Sequence, residues 1–250
     1  MMIATLICAL ACMVLVAAEY KHWKIVRVIA KTIASLAFVV LGTLTLASCE
    51  PPIGAWGEYQ LYVIVGLVLG MVGDLALLGK SEGAFLIGLV AFLLGHIAYI
   101  VGFAQLAPPR EWLDVRALIP IAVGGTALRM LWTKLGSMRV PVIAYVIAIV
   151  TMVAAALAAA RSPGVPHDNR VLLLVGAALF FVSDLAVARD KFGEKKAPPS
   201  SRSDDGGHLT PNASLWDKFV GASFANRAWG LPAYYAGQLL IAWSLWPAFC

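Results

Sequence analysis

Two aspartates stand inside stretches that are otherwise almost wholly apolar. Asp74 lies in residues 61–78 as Gly73-Asp74-Leu75-Ala76, and Asp184 lies in residues 171–188 as Ser183-Asp184-Leu185-Ala186. A carboxylate at the centre of a membrane helix costs about 2.5–3.5 kcal/mol even on lenient scales, so such a residue points to function. Two of them allow a division of labour. Burial raises the pKa of a carboxyl, and a second carboxylate nearby raises one of the pair further. One group can then donate a proton near neutral pH while the other stays ionised. Paired acids of this kind also mark ion paths in carriers.

Other polar residues could join them. Phe85, Gly88, Phe92, His96 and Tyr99 recur at spacings of one helical turn and share one helix face. His96 reads either as an interhelical hydrogen-bonding residue or as a ligand. Tyr234, Tyr235 and Gln238 fall in the last apolar stretch. The tyrosines suit a membrane interface, and Gln238 suits an interhelical partner. Lys31 either snorkels to the surface or pairs with a phosphate or an aspartate. Gly66 and Gly70 precede Asp74 on a similar face and permit close helix approach.

The elements that must position these residues are membrane helices. Hydrophobic residues make up 61% of the 250, and charged residues only 13%. A soluble domain of this length would carry about twice that charge fraction. Eight apolar runs are long enough to span a bilayer: residues 1–18, 26–47, 59–78, 83–106, 115–131, 140–160, 171–188 and 229–249. The first lacks a charged segment before its apolar core and is expected to be retained rather than cleaved. The predicted fold is all-α, a polytopic bundle of about eight transmembrane helices forming one domain over residues 1–250. Residues 194–217, rich in Ser, Gly, Pro and charge, are expected to form a flexible loop.

Charge sets the orientation. Of the 19 basic residues, all but Arg110, Arg116, Arg161 and Arg170 fall in or beside the loops after the odd-numbered spans. The positive-inside rule places those loops in the cytoplasm and both termini outside. The net charge of +5 therefore reads as topology, and no nucleic-acid partner is expected. The four cysteines show no paired or metal-type spacing. Only His96 lies in a span, so a zinc centre is not expected, nor any other cofactor.

Asp74 lies six residues before Lys80, and Asp184 five before Arg189. At 1.5 Å per residue both sit about 7–9 Å below the basic surface, on spans running the same way. The third and seventh spans are four helices apart and end alike, and each is followed by a span bearing His96 and Tyr99 or Tyr235 and Gln238. This order predicts a 4+4 parallel repeat with the site at the interface of the halves.

These motifs carry a resemblance. Gly73-Asp74 with Leu77, the face from Phe85 to Tyr99, Gly176-Ala177 through Phe180 to Ser183-Asp184, Lys191-Phe192, and Tyr234-Tyr235 with Gln238 together resemble the YhhN-type lysoplasmalogenase family. The likeness runs from about Arg27 to Gln238. The family's Lys-Pro at the second span stands here as Lys31-Thr32, and residues 194–217 make a longer loop than the family usually has.

The resemblance implies an integral membrane hydrolase. Its substrate would be a lysophospholipid with a vinyl ether chain, drawn from the bilayer. The products would be a fatty aldehyde and glycerophosphoethanolamine or glycerophosphocholine. It implies Asp74 and Asp184 as catalytic residues, and Lys31, His96, Tyr99, Ser183, Tyr234, Tyr235 and Gln238 as candidate substrate-binding residues. The expected location is the bacterial inner membrane, with the active site toward the cytoplasmic leaflet. A proton-coupled or small-molecule carrier using the same acidic pair is the alternative.

Overall fold

A computed structural model describes residues 1–47, 54–192 and 223–246. Among these, eight α-helices carry the fold: α1 (Met2–Lys21), α2 (Lys24–Ala47), α3 (Ala55–Ala76), α4 (Glu82–Leu106), α5 (Leu118–Leu131), α6 (Arg139–Ala159), α7 (His167–Phe192) and α8 (Ser223–Trp243). Single 3₁₀ turns flank α5 at both ends. The loop expected over residues 194–217 lies outside the described residues.

Local chemistry sets the helix ends. α1 stops at His22, whose left-handed φ of 57° returns its backbone N–H to Ala18 and lets α2 begin two residues later. Ser81 caps α4, accepting from the Ala84 backbone N–H at 3.1 Å. Pro108 and Pro109 follow α4, and Pro163 and Pro166 separate α6 from α7. The apolar runs on either side propagate as helix because lipid offers the backbone no other partner.

Seven helices are long and apolar enough to cross a membrane. The chain is therefore an all-helical integral membrane protein. The eighth helix differs from the sequence expectation. It begins at Ser223 rather than at residue 229 and ends at Trp243. It is also less apolar, because it carries Asn226, Arg227, Tyr234, Tyr235 and Gln238, and it contains Pro232. Its polar atoms are tolerable because it packs against α1, α2, α3 and α7. Two other bounds shift. α7 already starts at His167 and runs on to Phe192, so His167 is a helical residue rather than a loop one. The α-helical part of the fifth span is only Leu118–Leu131.

The neighbour relations occur twice. α3 packs on α4 as α7 packs on α8, α1 on α2 as α5 on α6, and α2 adjoins α3 as α6 adjoins α7. Across the halves, α4 meets α6 as α8 meets α2. This is the order expected of two similar four-helix units. α5 departs from it by holding to the bundle mainly through α6.

Lipid tails are as apolar as leucine, so helices associate by close packing and polar links rather than by hydrophobic expulsion. Small residues mark the tightest seams. A Cβ at Gly176 of α7 would lie 2.9 Å from the Gly237 carbonyl oxygen and 3.0 Å from the Ile241 nitrogen, both backbone atoms of α8. Backbone cannot swing aside, so α7 and α8 would have to separate. Gly176→Ala is expected to destabilise the bundle by about 1–3 kcal/mol. Thermal unfolding in detergent should show the loss. Gly125→Ala, which meets nothing within 4 Å, should be silent in the same assay.

Polar bonds lock the end of the bundle near the C-terminal end of α8. Ser244 Oγ donates to the Ile241 carbonyl at 2.6 Å, so Tyr59 donates its hydroxyl to Ser244 Oγ at 2.5 Å. Gln60 Nε2 donates to the Leu245 carbonyl at 2.8 Å, and Asn169 Nδ2 donates to the Ser244 carbonyl at 2.8 Å. These bonds satisfy carbonyls that the end of α8 leaves open. They tie α3 and α7 together at the end remote from both aspartates.

Candidate active site

Asp74 stands two residues before the end of α3 and is only 2% exposed. Three donors surround its carboxylate. Lys31 Nζ of α2 lies 3.1 Å from Oδ1. Ser35 of α2 donates its hydroxyl to Oδ2 at 2.6 Å, and Tyr235 of α8 reaches the same oxygen at 3.5 Å. Lys31 and Ser35 are one turn apart, so one face of α2 supplies both. An ammonium and two hydroxyls on one carboxylate describe an ionised group. Of the two roles open to Lys31, the structure shows the ion pair.

Asp184, eight residues before the end of α7, has a different set. Tyr145 of α6 donates its hydroxyl to Oδ2 at 2.7 Å. His96 of α4 places Nε2 at 3.4 Å from the same oxygen, within ion-pair range but not aligned as a hydrogen bond. The other ring nitrogen decides what this contact means. His96 Nδ1 lies 2.6 Å from the Phe92 carbonyl oxygen. A carbonyl only accepts, so Nδ1 carries a hydrogen. A neutral ring then turns a lone pair from Nε2 toward a carboxylate oxygen. That contact becomes a hydrogen bond only when a proton stands on one of the two groups.

The two halves of the fold contribute reciprocally. Ser35 precedes Asp74 by 39 residues, and Tyr145 precedes Asp184 by 39. Asp74, in the first half, takes Tyr235 from the last helix of the second half. Asp184, in the second half, takes His96 from the last helix of the first. Each aspartate thus has one hydroxyl partner from its own half and one group from the other.

Both carboxylates open on one cavity of about 340 Å³. Lys31, Asp74, Ser183, Asp184 and Tyr234 line it, with Tyr145, Phe92 and Phe181. Much of the rest of its wall is apolar and helical in period: Gly124, Ala127, Leu128 and Leu131 from α5, and Val142, Val146 and Ile149 from α6. Phe92, Phe180 and Tyr234 meet edge to face, with ring centroids 5.4–6.2 Å apart. The His96 ring lies over Phe180 at 4.5 Å.

The candidate residues divide by position. Ser183 lines the cavity, but its hydroxyl donates to the Phe180 carbonyl of its own helix at 2.7 Å. His96, Tyr99, Tyr235 and Gln238 are not in the lining and stand behind it. All four are buried. His96 and Tyr235 reach the aspartates, and Tyr99 donates its hydroxyl to Gln238 Oε1 at 2.6 Å. Tyr234 keeps its place in the wall.

Three buried polar atoms here have no hydrogen-bond partner: His96 Nε2, Tyr234 hydroxyl and Gln238 Nε2. Gly70 leaves room for the last two, since a Cβ there would lie 2.9 Å from Gln238 Nε2 and 3.2 Å from the Tyr234 hydroxyl. Polar groups of this kind are met by water or by a ligand in a folded interior.

Ser35 and Tyr145 escaped the sequence reading. A serine hydroxyl in an apolar helix commonly bonds to its own backbone, and a tyrosine commonly marks the membrane interface, so neither stood out. Their equal distance from the two aspartates was the signal available.

No curated protein and no solved structure matches the chain. The model of the YhhN family matches residues 26–203, a stretch that includes both aspartates, Lys31, Ser35, His96 and Tyr145. The chain belongs to the YhhN family.

Proposed function

We propose that this protein is a membrane hydrolase that cleaves the vinyl ether bond of lysoplasmalogen. The products are a fatty aldehyde and glycerophosphoethanolamine or glycerophosphocholine. One observation carries the reading: two carboxyls share a cavity but differ in what holds them. Asp74 is clamped by an ammonium, and Asp184 faces an imidazole and a phenol hydroxyl. Family membership fits a hydrolase of this type.

The roles follow from the partners. A vinyl ether hydrolyses by proton transfer to its β-carbon, which leaves an oxocarbenium ion. Lys31 holds Asp74 as the anion, which leaves Asp184, with no cation of fixed charge beside it, as the acid. Asp74 is the anion that steadies the cation and accepts a proton from the attacking water. The faces of Phe92 and Tyr234 at the cavity wall add cation–π attraction to the same charge.

Water bonds to the α-carbon and yields a hemiacetal, with its second proton on Asp74. Asp184, now ionised, takes the hemiacetal hydroxyl proton as the carbonyl forms. Asp74 returns its proton to the departing glycerol oxygen. One water is consumed and both carboxyls regain their starting states. The chain along the apolar arm between α5 and α6 would hold the double bond at the acidic end.

The positive-inside bias supports a reading in which the mouth of this cavity opens at the cytoplasmic leaflet. A carrier would need a second path toward the opposite end, where Tyr59, Gln60 and Asn169 tie the helices together. Purified protein given lysoplasmalogen and its saturated ether analogue distinguishes these readings. Aldehyde is expected from the vinyl ether alone. Release from the saturated ether as well, or uptake into proteoliposomes without product, would reject the reaction.

A further inference from the structure

A second cavity, of about 140 Å³, adjoins the first at its mouth. Glu19, His22, Lys24, Arg27, Lys80 and Arg227 line it, and four of these also line the larger cavity. Four cations and one carboxylate therefore enclose a small space. The carboxylate is already engaged: Glu19 holds Arg227 at 2.8 Å and Arg27 at 3.7 Å. Arg227 is further bound by Asp190 at 2.9 Å. Lys24 and Lys80 form no ion pair with any described residue, and Arg27 Nε is buried with no hydrogen-bond partner.

The helix beneath adds to this charge. Lys24 is the first residue of α2, and the first turn of α2 contains no acid. A helix N-terminus carries about half a positive charge and unpaired N–H groups. Cations placed there repel the helix dipole and each other. An anion in the pocket would relieve both.

Register ties the pocket to the aspartates. Lys24, Arg27, Lys31 and Ser35 lie at helical spacing along one face of α2. The inner two hold Asp74, and the outer two face the second cavity. Arg27 is about 6 Å and Lys24 about 10 Å from Lys31 along the axis. In a lysophospholipid five single bonds separate the ether oxygen from phosphorus, a span of about 6 Å at ordinary bond lengths.

Resting on the hydrolase reading, we propose that this second cavity binds the phosphodiester of the lipid headgroup and so sets the vinyl ether at the two aspartates. Lys24 and Lys80 contact the phosphate, Arg27 adds its charge from the wall, and the Glu19–Arg227–Asp190 chain keeps the pocket open.

The test uses the full chain in nanodiscs and the double variant K24A/K80A. Both lysines are exposed, so the fold should persist. Two substrates are compared: 1-alkenyl-glycerophosphoethanolamine and 1-alkenylglycerol, which lacks phosphate. The variant is expected to lose at least about tenfold in kcat/KM on the first, through KM, and to match the parent on the second. An equal loss on both, or none on either, overturns the assignment.

A binding arm keeps the pocket separable from the reaction. The uncleavable 1-alkyl-glycerophosphoethanolamine should bind at least about tenfold more weakly to the variant, whether or not the parent releases aldehyde. Unchanged binding overturns the pocket. Inorganic phosphate should compete with this lipid only weakly. Phosphate that binds as tightly as the lipid, without displacing it, assigns the cavity to a soluble anion and overturns the proposal.

Discussion

Asp184→Asn should abolish aldehyde release while leaving the fold intact. The asparagine side chain has nearly the shape of aspartate. Its amide oxygen, placed where Oδ2 stands, can still accept from the Tyr145 hydroxyl. That bond and the side-chain shape are kept, so little stability is lost. The amide has no proton to give to carbon. Loss of a general acid costs about 10²–10⁴ in rate. Substrate binding should persist, so the loss should fall on kcat rather than KM. Aldehyde release by purified variant and parent, with unfolding measured alongside, checks both halves. An Asp184→Asn protein within a few-fold of the parent would remove Asp184 from the role of acid.

Lys31→Met makes the contrasting case, in which stability and activity fall together. The ammonium is 12% exposed and its partner carboxylate 3%. Removing the lysine leaves a buried charge with two hydroxyls and no counter-ion. Breaking a buried pair in this way costs about 3–5 kcal/mol, mostly as the penalty of the charge left behind. The double variant Lys31→Met/Asp74→Asn removes that charge. It should recover most of the lost stability and none of the activity. Unfolding of the two single variants and the double variant in detergent measures the coupling directly. A Lys31→Met protein as stable as the parent would show that Asp74 is not held as an ion by Lys31.

The two predictions differ because the two carboxyls differ, and that difference was not legible in the chain. The local sequences Gly73-Asp74-Leu75-Ala76 and Ser183-Asp184-Leu185-Ala186 are nearly the same. They announce two equivalent acids. Lys31 comes to Asp74 from another helix, and His96 comes to Asp184 across the boundary between the halves. The His96 tautomer depends on a bond to Phe92, a turn away on its own helix, and the consequence appears on α7. Gln238 was read as an interhelical partner and does meet Tyr99. Tyr235, expected at an interface or against the substrate, reaches Asp74 from the last helix.

The sequence by itself determined the class of the fold, the approximate spans and the two residues of greatest interest. Each of these rests on the cost of placing a group in hydrocarbon, and that cost is a property of the residue and its neighbours along the chain. Apolar runs must be helices, and a carboxylate among them must have a reason. The start of α8 differs from expectation because Asn226 and Arg227 in its first turns blur the apolar signal. Only the tertiary structure decided that both aspartates open on one cavity, that one is paired with an ammonium and the other with an imidazole, and that a cationic pocket lies one or two turns above them. Those are distances between atoms on different helices. Helices in lipid choose their neighbours by shape and a few polar contacts, and the order of residues along any single helix does not contain that choice.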